Sequence, residues 1–179
     1  ENYEKALRLK PDLFEIYNAI GIAFKEKGHV EKAIKNFEKA LLFNPGNASI
    51  FFNLGLAFQE MGFRIKAIEN YEKAICIQPY FPKAFRNLSY VKKISLSNNT
   101  TITMIEIHQR NNLTSEDYID LSFALGKIYE DNGKFSKAFK YFSDANRIKK
   151  NKTKYEISHD IKLFEQIKHA FKSLKKPPI

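Results

Sequence analysis

Tyr17-Asn18-Ala19-Ile20-Gly21-Ile22-Ala23-Phe24-Lys25-Glu26-Lys27-Gly28 and Phe51-Phe52-Asn53-Leu54-Gly55-Leu56-Ala57-Phe58-Gln59-Glu60-Met61-Gly62 are one phrase written twice, 34 residues apart. Large apolar groups at Tyr17, Ile20 and Phe24, and at Phe51, Leu54 and Phe58, fall at the spacing that lines one face of a helix. Gly21 and Gly55 carry no side chain, so a second helix can pack close. Gly28 and Gly62 follow the last apolar residue, where the left-handed turn that ends a helix favours glycine.

The same period runs outward in both directions. Pro11, Pro45 and Pro79 share it, as do Ala6, Ala40 and Ala74, Ala33 and Ala67, and the aromatic series Tyr3, Phe37, Tyr71. Ala33-x-x-x-Phe37-x-x-Ala40 and Ala67-x-x-x-Tyr71-x-x-Ala74 predict a second helix, with small residues admitting a partner and an aromatic filling the gap between hairpins. Pro45 and Pro79 stop that helix, because proline cannot continue it and restricts the residue before it. Self-similarity at one fixed period marks a repeat array whose units cannot bury their apolar faces alone. The pattern resembles the tetratricopeptide repeat. That resemblance implies an all-α fold, an α-α superhelix of antiparallel helix hairpins.

Leu125-Gly126-x-x-Tyr129-x-x-x-Gly133, followed by Ala138-x-x-x-Phe142-x-x-Ala145, is a third match, with Lys150 where the proline would stand, so the helix is free to run on. Between Gly55 and Gly126 one degenerate repeat fits. Its first helix is expected from Pro82 to about Ser95, with Ser89 in the glycine position, and its second from Thr101 to Gln109 after a break at Asn98-Asn99-Thr100. Thr114 with Asp117 reads as a variant capping box opening the next helix. The expected units are 1–11 (the second helix of a truncated repeat), repeats at 12–45, 46–79, 80–113 and 114–150, a capping or linker helix at 151–174, and a stub at 175–179. In the capping helix, Ile157, Ile161, Phe164, Ile167, Phe171 and Leu174 form an apolar face expected to cover the last hairpin. Both ends read as cut from a longer protein.

Leu121-Ser122-Phe123-Ala124-Leu125-Gly126-Lys127-Ile128-Tyr129, Lys137-Ala138-Phe139-Lys140-Tyr141-Phe142, Ala145-Asn146-Arg147-Ile148 and the later Tyr155-Glu156-Ile157 to Phe171 resemble the last repeat and connecting helix of bacterial tetratricopeptide-repeat sulfotransferases. The resemblance covers the last third of the chain and implies a parent enzyme that transfers sulfate from a phosphosulfate donor. No Gly-rich strand-loop-helix segment that would cradle such a donor occurs here, so the family's catalytic and donor-binding residues have no positions in this sequence.

Composition narrows the remaining classes. No apolar run approaches the ~20 residues that span a bilayer, and no secretory signal opens the chain, so a cytoplasmic setting is the expectation. The single cysteine, Cys76, rules out an internal disulfide framework, and its helical context predicts a packed core thiol. The triplets Asn47-Ala48-Ser49 and Asn112-Leu113-Thr114 read as chance rather than glycan acceptors. His29, His108, His159 and His169 are too dispersed for a metal set. The acidic pairs Glu116-Asp117 and Glu130-Asp131 read as helix-end charge rather than an acid/base dyad. Neither cofactor nor catalysis is expected of this segment.

The net charge is +10, and from Arg147 onward ten Lys/Arg residues face only Glu156, Asp160 and Glu165. A binder of nucleic acid or a membrane surface through Lys149, Lys150, Lys152, Lys154, Lys168, Lys172, Lys175 and Lys176 is therefore the lower-ranked alternative, lacking interleaved aromatics. The leading expectation is a scaffold for a protein or peptide, its own C-terminal domain included, with self-association through exposed end repeats as a further option and a free-standing adaptor as the alternative to a sulfotransferase parent. In tetratricopeptide arrays the first helices line the concave groove. By register its candidates are Asn18, Ile22, Phe52, Asn53, Leu56, Lys83, Arg86, Asn87, Tyr90, Phe123 and Lys127. The carboxylate clamp of chaperone-binding members is matched only at Asn53 and Lys83, which argues against a chaperone tail as ligand.

Overall fold

The computed structural model describes residues 13–110, 112–153, 161–162 and 164–169. The expectations for Tyr3, Ala6 and Pro11, for Lys154, Ile157, His159, Phe171, Lys172 and Leu174, and for the stub at 175–179 lie outside the described residues. The helices are α1 (Leu13–Glu26), α2 (Val30–Phe43), α3 (Ala48–Glu60), α4 (Arg64–Ile77), α5 (Pro82–Val91), α6 (Asn99–His108), α7 (Ser115–Asp131) and α8 (Phe135–Thr153). They wind as an α-α superhelix, and residues 161–162 and 164–169 are helical as well.

Three pairs, α1–α2, α3–α4 and α7–α8, pack closely as hairpins, and one contact explains all three. A Cβ added to Gly21, Gly55 or Gly126 would stand 2.5 Å from a ring carbon of Phe37, Tyr71 or Phe142 respectively. The missing side chain is the space the ring of the second helix occupies. The hairpin turns also share a design. Gly28, Gly62 and Gly133 have φ of 76°, 78° and 71°. The following amides reach back five residues, His29 to the Phe24 carbonyl, Phe63 to Phe58 and Lys134 to Tyr129. This is the Schellman geometry, which satisfies carbonyls that a helix end leaves open.

α5 and α6 depart from this plan. They do not pack along each other; both pack against α7. Ser89 holds the glycine position, and the residue one step further on, where the other pairs have a ring, is Ile105. α5 ends at Val91, short of the expected Ser95, because Lys92 turns extended at φ −134° and Arg64 Nε donates to the Val91 carbonyl at 2.6 Å. This sends Ile94 into the core at 4% exposure without a helix to carry it. Asn98 caps α6 by accepting from the Thr100 amide, and Thr114 caps α7 by accepting from the Asp117 amide. The box is half formed, since the Asp117 carboxylate accepts instead from the Tyr80 hydroxyl. Asn47 is an N-cap too, accepting from the Ile50 amide.

The core lies in two clusters. One gathers Val30, Ala33, Phe37, Ala40, Ile50, Leu54 and Ala57. The other gathers Tyr71, Phe85, Leu88, Met104, Leu121, Leu125 and Ile128 among others. Phe58 packs against both. Each fully buried aromatic or aliphatic side chain here contributes about 1.5–3 kcal/mol.

One expectation is corrected. Cys76 is exposed, not a core thiol. It lies two residues past buried Ala74, about 200° round the helix from the buried stripe. Ile161, Phe164 and Ile167 are 58%, 72% and 43% exposed, and so are Phe135 and Phe139 of α8, at 69% and 75%. Without a proline at position 150, α8 runs on to Thr153.

Candidate functional site

Of the first helices, α1 is tied to α3 and α5 to α7 by polar contacts. The Asn53 amide donates to the Asn18 side-chain oxygen at 3.0 Å, joining α1 to α3. Arg86 joins α5 to α7 by donating to Asp120 at 2.8 Å, and its guanidinium lies 4.6 Å from the centre of the Phe123 ring. The partners in each link are 35 and 34 residues apart, about one repeat. A search for complementary groups one period apart would have found them.

Beside the Arg86 link the surface is concave. A groove of about 440 Å³ is lined by Phe52, Gln59, Lys83, Arg86, Asn87, Tyr90 and Asp120. A second hollow of about 500 Å³ shares Lys83, Arg86 and Asp120 and continues over Glu116, Ile119, Lys149 and Lys152. In the first groove the Phe52 ring lies 5.1 Å from that of Phe81 and 5.9 Å from that of Tyr71, and Tyr90 is 50% exposed. Across both hollows the charge is uneven. Four cations, Lys83, Arg86, Lys149 and Lys152, face two carboxylates already engaged, Asp120 by Arg86 and Glu116 by Lys152. The hydrogen bond from Lys152 holds the Glu116 carboxyl below its usual range.

Of the register-derived candidates, Phe52, Lys83, Arg86, Asn87 and Tyr90 line this groove. Asn87 turns its amide back to the Lys83 carbonyl. Ile22 and Leu56 pack against the core clusters. Phe123 serves as the platform under Arg86. Lys127 is held by Asp131 at 2.7 Å and Glu130 at 2.9 Å, and these bonds raise its pKa. Asn18 and Asn53 satisfy each other. The register missed Gln59, Glu116, Ile119, Asp120, Lys149 and Lys152. The last two were legible only as basic residues of the terminal segment, because the run-on of α8 is what carries them beside α5 and α7.

One pair has the reach of nucleophile and base. His108 Nε2 and Ser122 Oγ are 2.8 Å apart. Ser122 is 0% exposed, so no substrate carbonyl reaches its hydroxyl, and the contact is a core hydrogen bond. No helix among the described residues is long and apolar enough to cross a membrane.

Two family models match the chain. One, described as TPR repeat, covers residues 1–28 and 23–62. The other, described as tetratricopeptide repeat, covers 48–81 and 119–152. The stretch between these matches contains α5 and α6. Among solved structures, MamA is 24% identical, with a TM-score of 0.58 over 86% of this chain and 88% of its own. Pseudomonas aeruginosa pilF is 22% identical, with a TM-score of 0.63 over 78% of this chain and 63% of its own. BtubC from P. vanneervenii is 20% identical, with a TM-score of 0.61 over 82% of this chain and 67% of its own. At such identities the likeness speaks to the fold. Among curated proteins no match is found.

Proposed function

The chain belongs to the tetratricopeptide-repeat family, and we propose that it is a scaffold that holds an extended acidic segment of a protein partner in the groove beside Arg86. The observation that carries this reading is the make-up of the lining: Lys83, Arg86, Lys149 and Lys152 stand with only Asp120 and Glu116 as carboxylates. Phe52 and Tyr90 supply apolar area, and Gln59 and Asn87 supply amide groups suited to a peptide backbone. Charge of this kind raises the encounter rate and orients the segment, while the aromatic rings add contact area.

The similarity of residues 121–171 to the repeat region of bacterial sulfotransferases supports a narrower version. In it the scaffold, in the cytosol, positions a protein for a sulfotransferase domain carried on the same polypeptide. A fluorescein-labelled peptide of alternating Asp and Ala tests the groove by anisotropy. Binding should weaken with salt and by about tenfold or more in Lys83→Glu, a loss of ~1.4 kcal/mol. Equal affinity for this peptide and its Lys/Ala counterpart would sink the reading. Tighter, salt-steep binding of a single-stranded oligonucleotide would favour a nucleic-acid partner instead.

A further inference from the structure

α6 has 10 residues where its counterparts α2 and α4 have 14. Beyond its last residue, His108, a pocket of about 290 Å³ opens against α7 and α8. Its walls are rings. His108 lies 4.4 Å from Tyr118 and 5.3 Å from Tyr141, and Tyr141 stacks on Tyr129 at 5.5 Å and 14°. Its rim holds Lys137, Lys140 and Asp144.

This pocket is separate from the groove. Tyr118 and Asp120 are two residues apart on α7, which places them about 200° apart round its axis. The volume decides the size of the guest, since pockets for drug-sized molecules run ~300–1,000 Å³. This one suits one large side chain. The walls carry no charge at neutral pH, because burial pushes the Tyr141 phenol up and the His108 imidazole down. Cations are poorly served. The Lys137 ammonium already lies 5.4 Å from the centre of the Tyr129 ring, and Arg147 engages Asp144 at 3.0 Å. What remains on the rim is positive.

We propose that this pocket is a second docking site, which takes an aromatic side chain flanked by Asp or Glu from a protein partner. The guest ring packs against Tyr118, Tyr129 and Tyr141, and its acidic neighbours pair with Lys137 and Lys140. Ring-on-ring contacts of this type add about 0.5–1.5 kcal/mol beyond area burial.

The chain contains no Trp, so tryptophan emission from the peptide acetyl-Asp-Glu-Trp-Glu-Asp-amide reports the peptide alone. Titrating this peptide into the whole ¹⁵N-labelled chain should shift its emission to the blue. Amide shifts should gather at His108, Tyr118, Tyr129 and Tyr141. The doubly substituted Lys137→Glu, Lys140→Glu chain, altered only at exposed positions, should lose affinity about tenfold or more. In the Lys83→Glu chain the amide shifts at Tyr118, Tyr129 and Tyr141 should persist, which separates this site from the groove. Replacing the peptide's Trp by Ala should abolish the shifts at Tyr118, Tyr129 and Tyr141. Shifts centred on Lys83 and Tyr90, an absence of shifts, or equal binding of a Lys-flanked Trp peptide would each overturn the proposal.

Discussion

A methyl group on Gly55 would stand 2.5 Å from Cε1 of the Tyr71 ring. That ring is fully buried, and its hydroxyl donates to the Gln59 side chain at 2.7 Å. It has no room to retreat. Gly55→Ala should therefore destabilise the chain by about 1–3 kcal/mol through overpacking. Ser89→Ala, at the equivalent position without a facing ring, should cost no more than about 1 kcal/mol for the lost bond from its hydroxyl to the Arg86 carbonyl. Urea denaturation of both variants checks the contrast, and equal losses would contradict it.

Gly62 poses a different constraint. An added Cβ there meets nothing within 4 Å, but φ is +78°. Gly62→Ala should cost about 1–2 kcal/mol from backbone strain alone, and Gly62→Asn less, since Asn tolerates the left-handed region better. A ranking of the two by thermal melting that came out reversed would argue against strain as the cause.

Asp120 has a side chain only 12% exposed and depends on Arg86 at 2.8 Å. Arg86→Ala should lose about 1–3 kcal/mol, because the carboxylate is left largely desolvated. Arg86→Lys should recover only part of this, since an ammonium lacks the planar face that lies on Phe123. A double-mutant cycle with Asp120→Asn should show coupling of about 0.5 kcal/mol or more.

The His108 imidazole is pushed down by burial, against an opposing pull from Asp144. Unfolded, it titrates near ~6.5. Between the two values the unfolded chain binds more protons, so stability rises with pH across that interval. The contribution is complete above about pH 6.5 and is lost as pH falls through the lower folded value. The fall in Tm from about pH 7.5 to about 5.5 should be steeper for the natural chain than for His108→Gln. Parallel curves would show that His108 contributes nothing.

What the sequence made legible is whatever a one-dimensional pattern can carry. Gly28, Gly62 and the Phe37 and Tyr71 positions announce turns and ring contacts because each recurs with its partner at a fixed step. α5 was harder. Nothing between Val91 and Ser95 is a helix breaker, and the chain leaves the helix because Ile94 finds a place in the core and Arg64 takes the freed carbonyl. Cys76 was misplaced because a helical context says nothing about which face a lone residue occupies. The groove was half legible: register located Lys83, Arg86 and Tyr90, but bringing Lys149 and Lys152 alongside needed the length of α8.

Among the described residues, Phe58 is the one that packs against both core clusters. A solenoid whose stability is a sum of neighbour terms melts at its weakest junction first. Here α2 meets α3 less extensively than the helices within either hairpin meet each other, so α1 and α2 should open as a unit ahead of the remainder. Their amides would then exchange with solvent deuterium sooner than those of α7. The groove, built from α3 onward, would outlast the loss of the first hairpin and keep its grip on a partner while that end frays.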